Sequence, residues 1–103
     1  MRQPHHPALE DLTLARALKA LSDPVRLRIV TTLADGSERG WGEFEVGVSK
    51  STLSQHMKTL REAGLTKTRM EGTRCYVSLR EDFDTKFPGL VPAVLALTGP
   101  GRR

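Results

Sequence analysis

The segment Gly42-Glu43-Phe44-Glu45-Val46-Gly47-Val48-Ser49-Lys50-Ser51-Thr52-Leu53-Ser54-Gln55-His56-Met57-Lys58-Thr59-Leu60-Arg61-Glu62-Ala63-Gly64-Leu65 carries the pattern that decides the fold. Ser49 is an N-cap, because its hydroxyl can accept a hydrogen bond from one of the free N–H groups of a helix that begins at Lys50. Gly64 is the matching stop, since a helix ends most readily at a residue that tolerates the left-handed conformation. Between these caps Leu53, Met57 and Leu60 recur at i, i+4 and i+7 and form one apolar stripe. Ser51, Gln55 and Lys58 are thereby turned to the opposite face. The preceding stretch, Trp41 to Val46, predicts a short helix that packs Trp41 and Phe44, so residues 41–63 read as a helix-turn-helix.

Working outward, Leu65 to Met70 and Arg74 to Leu79 are short runs with β-branched and aromatic residues, and Glu71-Gly72-Thr73 supplies a tight turn between them. A helix-turn-helix followed by a hairpin over residues 65–79 is a winged helix: mainly α, about five helices with a two-stranded wing. Charge agrees with that reading. Residues 50–80 hold Lys50, Lys58, Arg61, Lys67, Arg69, Arg74 and Arg80 against Glu62 and Glu71, a local surplus of five positive charges in a chain whose total is +4. Basic charge gathered on one helix and its hairpin is the footprint of a surface that meets a polyanion. The residues predicted to meet double-stranded DNA are Ser49, Lys50, Ser51, Thr52, Ser54, Gln55, Lys58, Thr59 and Arg61 of the helix. Arg69, Thr73 and Arg74 join them from the hairpin, with Arg69 and Arg74 as phosphate contacts.

A chain of 103 residues with ordinary apolar and charged fractions is expected to form one domain, with a core small enough that oligomerisation is a natural source of further burial. No apolar run approaches the roughly 20 residues that span a bilayer, and the N-terminus lacks the apolar core of a signal peptide, so a cytoplasmic protein with no membrane partner is expected. The single Cys75 excludes an internal disulfide and is predicted to lie inward as an inert thiol. His5 and His6 are two ligands on a Pro-flanked arm, too few for a transition-metal site of three or four, and no metal or cofactor is expected. An enzyme is excluded in the same way, because no paired carboxylates, activated nucleophile or phosphate-binding Gly loop is visible.

In chain order, residues 1–7 read as an arm that is disordered or docked elsewhere. The first helix is predicted over residues 8–21. At about 100° per residue, Leu14, Leu18 and Leu21 share one of its faces while Leu9 and Leu12 lie nearly opposite, so it needs two partners. Ser22-Asp23-Pro24 opens the second helix with a cap and a Pro in the first turn; Val25, Ile29, Val30 and Leu33 face inward, Arg26 and Arg28 sit on a solvated or phosphate-near edge, and Asp35-Gly36 ends it. Ser37 to Gly40 reads as a loop. His56 lies on the flank of the recognition helix as a hydrogen-bonding residue. After Glu81, Asp82 and Asp84, a turn near Phe83 precedes a last helix over residues 90–97, too short to stand undocked. It is expected to join the first helix in a homodimer interface built on Leu9, Leu12, Leu90, Val91, Val94 and Leu95. Residues 99–103 are a loose tail.

The motifs Ala20-Leu21-Ser22-Asp23-Pro24-Val25-Arg26-Leu27-Arg28-Ile29-Val30 and Ser49 to Leu65 resemble the ArsR/SmtB family of bacterial repressors over about residues 9–97. The resemblance implies a homodimeric winged helix that binds a palindromic operator and releases it on sensing a signal, with the first and last helices forming the interface. It departs from the family's metal sensors. Where those carry a Cys-x-Cys type motif this chain reads Trp41-Gly42-Glu43-Phe44, and the last helix has no His, so the inducer stays unidentified and no metal ligand set is assembled. A winged helix that docks a partner protein is the alternative reading, disfavoured by the basic imbalance.

Overall fold

The computed structural model describes residues 3–98; the predicted tail, 99–103, and the first two residues of the arm lie outside the described residues. Helix α3, Lys50–Glu62, is closed at both ends as its sequence requires. Ser49 Oγ accepts from the Thr52 N–H at 3.2 Å, and at the far end the Leu65 N–H reaches the Leu60 carbonyl while the Gly64 N–H reaches that of Arg61, both at 3.0 Å. This pair of bonds is the Schellman ending, and it needs the positive φ of Gly64, +86°. Met57 and Leu60 are fully buried and Leu53 packs beside them, which places the whole predicted stripe against the core.

Helices α1 (Leu14–Ala20) and α2 (Pro24–Thr32) pack on α3, and α5 (Leu90–Thr98) packs on α2 after the single turn of α4 (Phe83–Lys86). No helix among the described residues is long and apolar enough to cross a membrane. Asp23 caps α2 by accepting from the N–H groups of Val25 and Arg26. The sheet has three strands in the order β1-β3-β2, all antiparallel: β1 is Arg39–Gly40, β2 is Thr66–Glu71 and β3 is Arg74–Leu79. The wing turn is Gly72-Thr73, with Glu71 and Arg74 already paired across it and Gly72 at φ +61°.

Several expectations are corrected. The first helix does not run from Ala8 to Leu21. A 3-10 turn at Leu9–Asp11 is followed by Leu12 in extended conformation, and α1 starts afresh with Thr13, whose hydroxyl accepts from the Arg16 N–H. Leu12 is 4% exposed and packs where a Cβ on Gly64 would lie, so it belongs to the protomer's own core and not to a dimer face. The predicted helix at Trp41–Val46 is only a 3-10 turn over Trp41–Glu43, closed by the Glu43 carboxylate accepting from the Gly40 N–H. Gly42 and Gly47 weaken any longer helix there, although Trp41 and Phe44, both half-buried, pack against the core as expected. Ser37 to Gly40 is not all loop, since Arg39 and Gly40 pair with Val77 and Tyr76 of β3.

The arm is docked. β2 is a sheet edge, and its outward backbone groups would otherwise be an open template for another strand. Gln3 closes part of that edge with its side-chain amide, donating to the Met70 carbonyl at 3.1 Å and accepting from the Met70 N–H at 2.9 Å. His6 Nε2 accepts from the Thr68 N–H at 2.9 Å. Arg61 donates to the His5 carbonyl and Arg80 to that of Pro7, tying the same segment to α3 and to the end of β3.

Only a neutral imidazole can accept from Thr68. Burial, then the charges of Arg61, Arg80 and His5, hold the His6 pKa below its ordinary 6.5, against an opposing hydrogen bond to the Pro4 carbonyl. With the docked value depressed, the undocked arm takes up a proton first, so docking is at full strength above about pH 6.5 and weakens as the pH falls through the lowered value. Amide-exchange protection of Thr68 and Met70 should therefore drop together on acidification below that point, and His6→Ala should abolish the pH dependence. Protection that stays constant in the unmodified protein would show that the imidazole does not hold the arm.

Candidate nucleic-acid interface

The first three turns of α3 present their polar side chains together. Ser49, Lys50, Ser51, Thr52, Ser54, Gln55 and Lys58 are all exposed, and none is a carboxylate. The Ser49 hydroxyl lies 3.2 Å from that of Ser51 and donates to that of Thr52 at 3.0 Å, a small hydroxyl cluster at the positive end of the helix. Gln55 and the ammonium groups of Lys50 and Lys58 have no hydrogen-bond or ion-pair partner among the described residues. Thr59 and Arg61 differ: both are half-buried on the flank. At the wing tip Thr73 and Arg74 are exposed, and Arg74 likewise has no partner among the described residues.

Arg69 is not a free cation. Its Nε and Nη2 donate to the two oxygens of Glu38 at 2.7 and 2.8 Å, its Nη1 donates to Glu71 at 2.8 Å, and its guanidinium lies 4.6 Å from the centroid of the Tyr76 ring. The bidentate arrangement is the geometry that favours arginine over lysine. Arg69 holds the Glu38 carboxyl below its usual range, and the two carboxylates push the Arg69 pKa up. Lys67 and Arg80 are paired as well, with Glu81 at 2.8 Å and Asp82 at 2.6 Å. Three of the seven cations in residues 50–80 therefore have carboxylate partners. Glu38, Glu81 and Asp82 lie outside the window over which the charge was counted, so the sequence shows the surplus but not its compensation.

The flank residue His56 is hydrogen-bonded, as expected, but to an unexpected partner. Its Nδ1 lies 3.0 Å from Nη1 of Arg26, which is turned inward and not placed on a solvated edge. Cys75 is half-buried, and desolvation raises its pKa, which disfavours the reactive thiolate. Among the described residues no three His, Cys, Asp or Glu side chains gather as metal ligands do. The arrangement leaves a hydroxyl- and amide-bearing helix face able to pair with base edges, flanked by unpaired cations able to meet phosphates.

Known proteins resemble this chain in sequence and in fold. Residues 23–68 match the bacterial regulatory protein, arsR family. A Bacillus subtilis (strain 168) protein described as the uncharacterized HTH-type transcriptional regulator YceK is 49% identical over 86 residues, covering 80% of this chain and 86% of that one. The chain belongs to the arsR family of bacterial regulatory proteins. Solved structures agree with the arsR fold. The crystal structure of the transcriptional repressor BigR from Xylella fastidiosa superposes with a TM-score of 0.66 at 38% identity, covering 82% of each chain. The homodimeric winged helix-turn-helix DNA-binding domain Mb0332 from Mycobacterium bovis, determined in solution, gives 0.65 at 35% identity, over 81% of this chain and 78% of that one. This arsR-family chain is thus a DNA-binding transcriptional regulator and not an enzyme, and none of these likenesses supports a winged helix devoted to protein docking.

The two wing arginines separate by experiment. Arg74→Ala should reduce the slope of log affinity against log salt by about one unit, the loss of one phosphate contact, and weaken binding to all sequences alike. Arg69→Ala should leave that slope nearly unchanged and instead lower the melting temperature, because it leaves Glu38 and Glu71 without their partner. Equal changes of slope in the two variants would return Arg69 to the phosphate interface.

Proposed function

We propose that the protein is a homodimeric repressor that lays α3 of each protomer in the major groove of a palindromic operator and is released by a signal. The observation that carries this reading is the exposed face over the first three turns of α3, which holds no carboxylate until Glu62 at its far end, with Gln55 at its centre and Lys50, Lys58 and Arg74, unpaired among the described residues, around it. An amide can pair bidentately with adenine, while ammonium and guanidinium groups supply sequence-independent affinity. Ser49, Ser51, Thr52, Ser54 and Thr73 complete the contact surface, and Thr59 and Arg61 border it. The BigR repressor and the homodimeric Mb0332 domain support the assembly and the direction of regulation by likeness.

Gln55→Ala should cost about 1–3 kcal/mol at one base position of each half-site and little on random DNA. Selection of bound genomic fragments supplies the operator for that comparison. Equal weakening on operator and random duplex would remove Gln55 from base readout.

The dimer face moves with the burial of Leu12. Leu14 and Leu18, one turn apart on α1, are each 48% exposed, and Leu97 near the end of α5 is 70% exposed. Leu9, Leu90, Val91, Val94 and Leu95 are half-buried against the protomer's own core and contribute their remaining surface. We assign the interface to this combined face of α1 and α5. Covering it removes apolar area worth roughly 25 cal/mol per Å² before association costs, and a two-fold mate sets the two α3 helices about 34–36 Å apart, or a multiple of that. Leu14→Glu with Leu18→Glu should give a monomer that keeps its helical circular dichroism, since neither side chain is in the core, but loses tight operator binding. Sedimentation of the unmodified protein as a monomer at micromolar concentration would overturn the interface and the palindrome together.

A further inference from the structure

One guanidinium joins three helices. Arg26, in the first turn of α2, donates from Nε to the Ala20 carbonyl at 2.6 Å and from Nη2 to the Lys19 carbonyl at 3.4 Å, while Nη1 lies 3.0 Å from His56 Nδ1. Lys19 and Ala20 end α1, where the last carbonyls have no partner inside the helix and a cation faces the negative end of the helix dipole. His56 is on α3. Arginine nitrogens only donate, so Nδ1 is the accepting nitrogen and the imidazole proton is on Nε2, which faces Asp23 Oδ1 at 3.9 Å. That oxygen also caps α2 through the N–H groups of Val25 and Arg26. Among the described residues, this is the one side-chain hydrogen bond from α1 or α2 to α3. The longer polar links are the His56–Asp23 approach just given, at 3.9 Å, and the exposed pair Arg16–Glu62, at 3.7 Å.

We propose that Arg26 and His56 are positioning residues for base readout: the bridge sets the rotation of α3 against the end of α1. On the homodimer reading above, on which this rests, it thereby sets the aim of Gln55 relative to the two-fold axis. His56 follows Gln55 directly, about 100° around the helix, and its side chain is only 14% exposed, so it serves as the inner anchor of the residue that points outward. A binding constellation needs its groups held within about 0.5 Å and 10–20° of the productive geometry. A bidentate amide–adenine pair is that demanding. Lys50 and Lys58, on flexible stems, meet phosphates as point charges and tolerate a small rotation. Loss of the bridge should therefore fall on the preference for operator, leaving general affinity for DNA in place.

The test uses the full chain, an operator fragment recovered by selection and a random duplex of equal length, at one salt concentration. Arg26→Lys keeps the charge but cannot span three acceptors with a planar fork, and His56→Phe keeps a ring without the acceptor. Each should lower the operator-to-random affinity ratio about tenfold while random-duplex affinity stays within about twofold. His56→Asn, which places an amide group close to the position of Nδ1, should keep the ratio within about threefold of the unmodified protein. The double variant Arg26→Lys/His56→Phe should lose no more than the worse single, because both remove one bridge. Thermal unfolding checks that each variant folds. Should His56→Phe not fold, His56→Gln takes its place: its amide sits one methylene further out and should lose the ratio that Asn keeps. Parallel loss on operator and random duplex, an unchanged ratio, or additive losses in the double variant would each overturn the positioning role. An unmodified protein that shows no preference for any fragment would instead overturn the DNA-reading function itself, and this inference with it.

Discussion

The contact of Leu12 with Gly64 is the constraint on which the rest of the structure depends. Gly64 must adopt a positive φ for α3 to end in a Schellman turn, and the side of it that lacks a Cβ is filled by the Leu12 side chain. Any larger residue at 64 meets both a backbone strain and an occupied volume. From this point Leu65 and Thr66, both buried, launch β2 directly from the end of the recognition helix, which fixes the wing relative to α3. The same contact explains why the N-terminal segment is not one helix. Leu12 reaches Gly64 from an extended backbone, so the chain breaks there, and Thr13 caps a new helix.

Features whose cause is local were legible in the sequence. The Ser49 cap, the Gly64 stop, the Leu53-Met57-Leu60 stripe, the Asp23 cap with Pro24, and the Gly72-Thr73 turn each depend on residues within a few positions of one another, and each occurs where it was expected. Features with distant causes were not. Residues 8–21 form a plausible continuous helix on propensity alone, and only the approach of residue 64 to residue 12 breaks it. Arg39-Gly40 has no strand signal of its own; it pairs because β3 offers it an open edge. Arg26 looks solvent-bound in a helix with few other polar residues near it, and its partners, six or seven residues back at the end of α1 and thirty residues on in α3, lie beyond any helical period.

Electrostatics shows the same division. A count over residues 50–80 correctly marks α3 and the wing as basic, yet it treats Arg69 and Arg74 as equivalent neighbours of one turn. They are not. Arg69 pairs across β3 with Glu38, beside β1, and thereby clamps all three strands over the Tyr76 ring, whereas Arg74, at the tip, has no partner among the described residues. A cation committed to two carboxylates adds stiffness to the sheet and little to the field a polyanion meets. Within residues 50–80 the cations without a carboxylate partner among the described residues are consequently fewer than the sequence suggested, and lie on α3 and at the end of the hairpin.

This distribution separates two properties that a regulator needs together. In the proposed repressor, general attraction to DNA rests on exposed cations with long, flexible side chains, so it is insensitive to small changes in the framework. On the proposed reading, discrimination rests on short side chains, the Gln55 amide and the hydroxyls around it, whose reach is set by the placement of α3. That placement is secured on three sides: by apolar packing of Met57 and Leu60 beneath, by Leu12 against Gly64 at the C-terminal end, and by Arg26 and Asp23 around His56 on the flank. Apolar packing alone resists separation of helices better than it resists rotation, because a smooth stripe of Leu and Met presents similar volumes at neighbouring angles. The directional bonds of a planar guanidinium supply the angular restraint that the stripe lacks.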